Sequence, residues 1–300
     1  MYDIVIGAAE MEGLQRHPAR LFPLPMGEKP VSEASDIWVS GDAYEPYVGR
    51  WSRVVAREFL AWLDVPTGSR WLDVGCGTGA LTTVILEKAI PSEVLGVDPS
   101  AGFVAYARAH VTDSRARFEI GDARALAASE AAFAAVVAGL SLNFVPDPTA
   151  AVVEMARVVR PGGVVAAYVW DYAGGMELMR RFWDAVSALD PSARDLDEGR
   201  IFAAFCNPDA LADLFSNAGL GNVETRAVDI PTVFRDFDDY WDPFLGGQGP
   251  APAYLVTTNE ERRNALRERL RTDMAITDDG HIALVARAWA VRGERSTTRN

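Results

Sequence analysis

This sequence has little histidine, little cysteine and no net positive charge. Its 300 residues include three histidines and two cysteines, Cys76 and Cys206. There is no C-x-x-C pair and no metal-ligand spacing, so neither a metal site nor a disulfide framework is expected, and a reducing compartment follows. Lys and Arg total 29 against 42 Asp and Glu, a net charge of −13. A protein that tracks nucleic-acid phosphates needs a basic stripe to release counterions. No Lys/Arg cluster here outweighs its acidic neighbours, which argues against nucleic acid and against anionic membrane surfaces. No apolar run approaches the roughly 20 residues of a membrane span. The opening MYDIVIGAAEMEG has no basic flank of the kind a secretory signal carries, so the expected location is cytoplasmic.

What is present is apolar residue, 49% of the chain, enough to bury a sizeable core. Residues 1–40 carry Pro18, Pro23, Pro25 and Pro30 without sustained periodicity and read as a loose tail, with a functional start as late as Met26 in view. From Trp51 the pattern changes: Trp51, Val54, Val55, Leu60 and Leu63 fit one apolar face of a helix. Strands at 70–75, 93–98, 115–120, 133–139 and 163–170 then alternate with helices at 79–89, 100–110 and 148–159. That alternation implies parallel βαβ units with a core over residues 41–170. Residues 171–300 add a helix at 175–188, a helix opened by Asn207 and Pro208, and strands at 222–230 and 281–291. Two insertions, 171–206 and 231–279, interrupt this remainder; the second holds the charged run NEERRNALRERLRTDM.

The strongest signal is the strand-to-helix turn WLDVGCGTGA at 71–80. Gly75, Gly77 and Gly79 allow a tight turn and close approach of a ligand, just before a helix N-terminus. The glycines alone also satisfy a dinucleotide fingerprint. Asp73 discriminates, because a carboxylate at the strand end repels a pyrophosphate and suits a ligand carrying an ammonium or sulfonium cation. VLGVDPS places Asp98, with Pro99, past the end of the second strand, where an acid accepts from ribose hydroxyls. FEIGDAR places Asp122 at the same edge, able to accept from an adenine amino group beside the backbone of Ala123. Three acids at the carboxyl ends of three successive strands make one crevice.

With those motifs in hand, the chain resembles class I S-adenosylmethionine (SAM)-dependent methyltransferases of the small-molecule type, similar to those of ubiquinone and menaquinone biosynthesis. DVGCGTG, VLGVDPS and GDA carry the resemblance, supported by FAAVVAGLSLNFVPD and RVVRPGGVVAAYVW, over about residues 44–170. It implies a Rossmann-like, doubly wound α/β sheet of seven mostly parallel strands, the last antiparallel, with helical lid insertions. It implies SAM as cofactor, with Gly75, Cys76 and Gly77 around the methionine part, Asp73 near its amino end, Asp98 on the ribose, and Asp122 and Ala123 on the adenine. Leu140 and Ser141 would lie beneath the sulfonium. YEPYVGRWSR resembles the segment that closes over SAM, which makes Tyr47, Arg50 and Trp51 candidates and Arg50 a partner for the methionine carboxylate.

The acceptor is less legible. The run Leu140-Ser141-Leu142-Asn143 is not that of amino-group DNA methylases, and no paired-Glu loop of the protein-arginine type is present, so a small molecule is expected. Among the aromatics after Trp170 and after Ile230, Trp170, Tyr240 and Trp241 are the candidates for an aromatic acceptor cavity under a lid, with core packing the competing reading. In that second insertion Asp238, Asp239 or Asp242 could supply a base, with a solvated loop face the simpler reading of most of them. Cys76 reads as packing, and His17, His110 and His281 as structural or solvated, so no histidine is nominated as a general base. Because a sulfonium methyl is already activated, alignment alone supplies much of the rate. Two other functions stay open at this point: a SAM-binding module without catalysis, and an NAD(P)-dependent oxidoreductase, which Asp73 disfavours. Oligomeric state has no signature in the sequence.

Overall fold

Five runs of apolar residues become parallel strands because helices cover both faces of the sheet they form. They are Arg70–Val74 (β1), Glu93–Asp98 (β2), Ala116–Ile120 (β3), Phe133–Gly139 (β4) and Val159–Trp170 (β5). Gly221–Phe234 (β6) and Ile282–Glu294 (β7) complete a seven-stranded sheet of order β3-β2-β1-β4-β5-β7-β6. β7 runs antiparallel to both β5 and β6, as expected of the last strand. The computed structural model describes residues 45–246 and 249–297, so the readings made for residues 1–40, including Met26 and His17, lie outside it.

The helices are Arg50–Leu63 (α1), Ala80–Lys88 (α2), Ala101–His110 (α3), Pro148–Val158 (α4), Glu177–Leu189 (α5), Glu198–Ile201 (α6), Pro208–Asn217 (α7), Phe237–Trp241 (α8), Pro250–Thr257 (α9) and Glu260–Asp273 (α10). Local chemistry starts several of them. Ser100, Asp147, Asn207 and Asn259 each accept from a backbone N–H of the first turn of α3, α4, α7 and α10. Pro148 and Pro208 occupy the first turn, where the missing N–H costs nothing.

Three boundaries and one face differ from expectation. β5 begins at Val159, β6 runs to Phe234 and β7 to Glu294. The reason is that β6 and β7 pair with each other from Gly221–Glu294 to Phe234–Ile282, well beyond the stretch of β7 that β5 covers. Such a ribbon is held by cross-strand bonds and needs no continuous apolar run. In α1 the buried face is Val55, Ala56, Phe59 and Leu63, while Trp51, Val54 and Leu60 are only half-buried.

β1 to β5 all end at one edge, and strand order reverses between β1 and β4. A crevice opens at such a switch point. Insertions follow β5 and β6 at this same edge, so both have the opportunity to roof it.

Candidate functional site

At the end of β1 the chain turns through Gly75, Gly77 and Gly79, with φ of +72°, +51° and +85°. Gly75 answers to a close approach as well: a Cβ there would lie 2.4 Å from the Ser141 Cβ. Ser141 in turn donates from Oγ to the Val74 carbonyl at 2.9 Å, locking the β4 loop onto the β1 loop. Beside it Leu140 sits at φ +58°, a left-handed conformation that a branched side chain adopts only under constraint. The constraint is visible, since its N–H donates to the Tyr168 carbonyl at 2.8 Å.

Asp73 is buried. Thr82 Oγ1 donates to its Oδ2 at 2.7 Å, but Oδ1 has no hydrogen-bond partner among the described residues. Burial pushes its pKa up to about 7, with the Thr82 hydrogen bond acting the other way. A buried carboxylate oxygen without a donor is costly unless a ligand supplies one. An ammonium group would, so the residues present fit the methionine end of SAM.

Asp98 ends β2 and is tied to the glycine loop. Its Oδ2 accepts from the Gly77 N–H at 2.9 Å and its Oδ1 from the Ser100 N–H at 2.8 Å. Burial raises its pKa, partly offset by those two bonds. Each oxygen retains a lone pair, as ribose hydroxyls require. Asp122 is gripped by Arg124, whose Nη2 lies 2.7 Å from Oδ2, and this holds its carboxyl below the usual range. Arg124 was absent from the sequence reading, and it shares the cavity wall with Asp122 and Ala123.

A cavity of about 270 Å³ opens here. Asp73, Gly75, Cys76, Gly77, Asp98, Pro99, Asp122, Ala123, Leu140 and Ser141 all line it, so one crevice unites these motif residues. The Cys76 sulfur faces the small buried cluster of Val104, Ala107 and Phe118, and burial raises its thiol pKa well above the ordinary value. It is therefore an inert packing group. His110 Nδ1 donates to the Tyr106 carbonyl and His281 pairs with Asp279; neither lines the cavity.

The N-terminal segment divides. Tyr47 lines the cavity, its hydroxyl donating to the Met179 sulfur at 3.0 Å. Arg50 and Trp51 do not line it. Arg50 is 3.0 Å from Asp239 and stacks over Phe234 at 4.7 Å, while Trp51 meets Phe234 edge-on. One helical residue step turns the side chain by about 100°, so only part of the YVGRW run faces inward. Asp239, offered as a solvated acid, is thus a partner of Arg50.

The acceptor candidates divide too. Trp170 lines the cavity; Tyr240 and Trp241 are buried outside it. Tyr240 donates to the Leu178 carbonyl at 2.9 Å and packs on Phe234 and Phe244. The first insertion supplies the wall instead, through Tyr172, Met176, Met179 and Phe202, while among the described residues of the second only Gly249 and Pro250 reach the cavity. The second insertion packs behind Tyr47, where Phe244 meets the Tyr47 ring at 5.2 Å.

The first insertion also brings in a residue that sequence reasoning missed. Glu198 lines the cavity yet is almost wholly buried. The Trp183 indole N–H donates to its Oε2. Burial pushes its pKa up to about 7, against the pull of that indole and of nearby backbone N–H groups. In the run SARDLDEGRIF nothing distinguishes it from its solvated neighbours.

A family model described as "Methyltransferase domain" matches residues 72–167. The 2-methyl-6-phytyl-1,4-hydroquinone methyltransferase of Synechocystis sp. is 29% identical over 243 residues, 73% of this chain and 74% of that protein. The ubiquinone biosynthesis O-methyltransferase of Paraburkholderia phymatum is 30% identical over 186 residues, 59% of this chain and 77% of that one. Among solved structures, the Haemonchus contortus phosphoethanolamine N-methyltransferase 2 in complex with S-adenosyl-L-methionine shares the fold. Its TM-score is 0.53 at 15% identity, over 88% of this chain and 57% of that one.

Proposed function

This chain belongs to the class I SAM-dependent methyltransferases related to those of ubiquinone and menaquinone biosynthesis, and from that premise we propose that its acceptor is an apolar hydroquinone or phenol. SAM is its cofactor, and when bound it supplies an electrophilic methyl group on sulfur. The observation that carries the acceptor class is the wall opposite the glycine loop. Tyr168, Trp170, Tyr172, Phe144 and Phe202 line the cavity beside Leu140 and Ser141. The Phe202 ring stands 5.0 Å from Tyr172 and 5.5 Å edge-on from Phe144, a geometry that accommodates a flat aryl ring.

The donor half is supplied by Asp73, the glycine loop, Asp98 and the Asp122–Ala123 turn. Strained Leu140 and the Ser141–Val74 bond hold the two halves in fixed register, which is what an in-line transfer needs. No helix among the described residues is long and apolar enough to cross a membrane.

The test is methyl transfer from SAM to a panel of 2-methyl-1,4-naphthohydroquinone, simple phenols and alkylamines, followed by mass spectrometry. A methylated hydroquinone or phenol is expected, and the mass fragments report whether oxygen or ring carbon was modified. Turnover confined to the alkylamines would overturn the assignment.

A further inference from the structure

We propose that Glu198 is the catalytic residue that takes the proton from the nucleophilic hydroxyl of the acceptor. This rests on the hydroquinone or phenol reading above. The argument is first one of place. Asp73, Asp98 and Asp122 belong to the strand ends beneath the donor, and the last two already accept from N–H groups. Glu198 comes from the insertion after β5, the same segment that contributes Tyr172, Met179 and Phe202 to the acceptor wall. Its charge acts on the Tyr47 hydroxyl, which lines the cavity as well and whose ionisation burial and Glu198 together suppress.

The carboxylate is also held in position. Arg180 Nη2 lies 2.7 Å from Asp197 Oδ1, and that same oxygen accepts from the Gly199 N–H at 2.7 Å. A Cβ on Gly199 would fall 2.8 Å from the Tyr172 carbonyl and closer still to the Arg180 guanidinium, so α6 is packed without clearance on both sides of Glu198. Trp183, on α5, holds Oε2 from behind. Among the described residues, the charged and titratable groups that act on Glu198 are Tyr47 and Asp197, with Arg180 paired to Asp197 beside it. A general base needs this combination of fixed geometry and a proton affinity near the operating pH, and burial sets the latter at about 7.

The step balances simply. The acceptor O–H gives its proton to the Glu198 carboxylate as a carbon–oxygen bond forms to the methyl group. The sulfur–methyl bond breaks and its electron pair stays on sulfur, leaving neutral S-adenosylhomocysteine and a methyl ether. For ring methylation the same carboxylate takes the hydroxyl proton as a carbon–carbon bond forms at the activated ring and the sulfur–methyl bond breaks toward sulfur; the hydrogen on that ring carbon then leaves to water as a proton and the oxygen is reprotonated, restoring the aromatic hydroxyl. Glu198 then returns its proton to water when product leaves.

The experiment compares the full-length wild type with E198Q and W183F. With 2-methyl-1,4-naphthohydroquinone as acceptor and SAM held at saturation, E198Q is expected to lower kcat by about 100-fold or more and to abolish the rise of kcat/KM for the hydroquinone through neutral pH. Its affinity for S-adenosylhomocysteine by calorimetry should stay within about two-fold, because the donor half is untouched. W183F removes a donor to the charged carboxylate, so the rising limb should move to higher pH. An E198Q enzyme within about three-fold of wild-type kcat with an unchanged profile overturns the proposal, as does a limb that W183F leaves in place. If the wild type does not methylate the hydroquinone, the acceptor reading has failed, and Glu198 is then judged without an acceptor. An infrared pH titration of the S-adenosylhomocysteine complex should show a carboxylic-acid band that disappears near pH 7 in wild type and is absent in E198Q. No such band in wild type overturns the proposal.

Discussion

Thr82 Oγ1 reaches Asp73 Oδ2 at 2.7 Å, while the other oxygen of this buried carboxylate, Oδ1, has no hydrogen-bond partner among the described residues. Half of the group is satisfied from within and half awaits an outside donor. Because the folded value lies at about 7, binding of S-adenosylhomocysteine should weaken as pH falls through neutrality and Asp73 loses its charge. D73N should weaken it by at least about 30-fold, equivalent to about 2 kcal/mol. T82V removes the bond that favours the charged form, so the pH at which affinity falls should rise. Calorimetry between pH 6 and 8.5 reads all three.

The stability of the ligand-free protein should run the other way. Asp73 and Glu198 are raised to about 7 from ordinary values of 3.8 and 4.5. Between those values the folded state binds more protons than the unfolded one, so stability falls as pH rises through that window. Each pH unit of difference is worth about 1.4 kcal/mol per group. Wild type should therefore melt at a higher temperature at pH 6 than at pH 8. D73N, unable to ionise, should flatten the slope and raise Tm at pH 8 in a thermal melt.

Gly75→Ala meets two obstacles, the Ser141 side chain and a positive φ. The backbone strain alone costs about 1–3 kcal/mol. Adding S141G removes the clash but leaves φ unchanged, so the double variant should recover only part of the lost denaturation midpoint.

Tyr240 and Phe202 separate core from cavity. Y240F leaves the buried Leu178 carbonyl without its donor, costing about 1 kcal/mol of stability, while KM for the hydroquinone stays within about two-fold. F202A removes a ring from the wall and should raise KM by roughly ten-fold, the scale of one aromatic contact. A large KM change in Y240F would contradict the placement of that residue in the core.

Much of the donor half was legible because its signals are short-range. A βα turn that needs positive φ advertises itself as Gly75, Gly77 and Gly79, and acids at strand ends keep their spacing whatever else the fold does. Strand periodicity likewise located β1, β2 and β4 to within a residue. Arg50 and Trp51 lie off the cavity wall because neighbours in a helix point about 100° apart, and nothing in the run tells which of them faces inward. Tyr240 and Trp241 have the same ambiguity: aromatic spacing marks a buried face without telling whether core or cavity lies opposite.

The sequence by itself determined that the glycine turn and the three acids share one crevice, since contiguous motifs at consecutive strand ends converge in any parallel sheet of this winding. Only the tertiary structure decided the acceptor side. Glu198 and Phe202 come from a polar stretch that carries no periodic signal. They reach the cavity because Phe182 and Trp183 bury α5 and the Arg180–Asp197 pair clamps α6 against it. A carboxylate becomes a proton acceptor near neutral pH through what surrounds it, and its surroundings are distant in the chain.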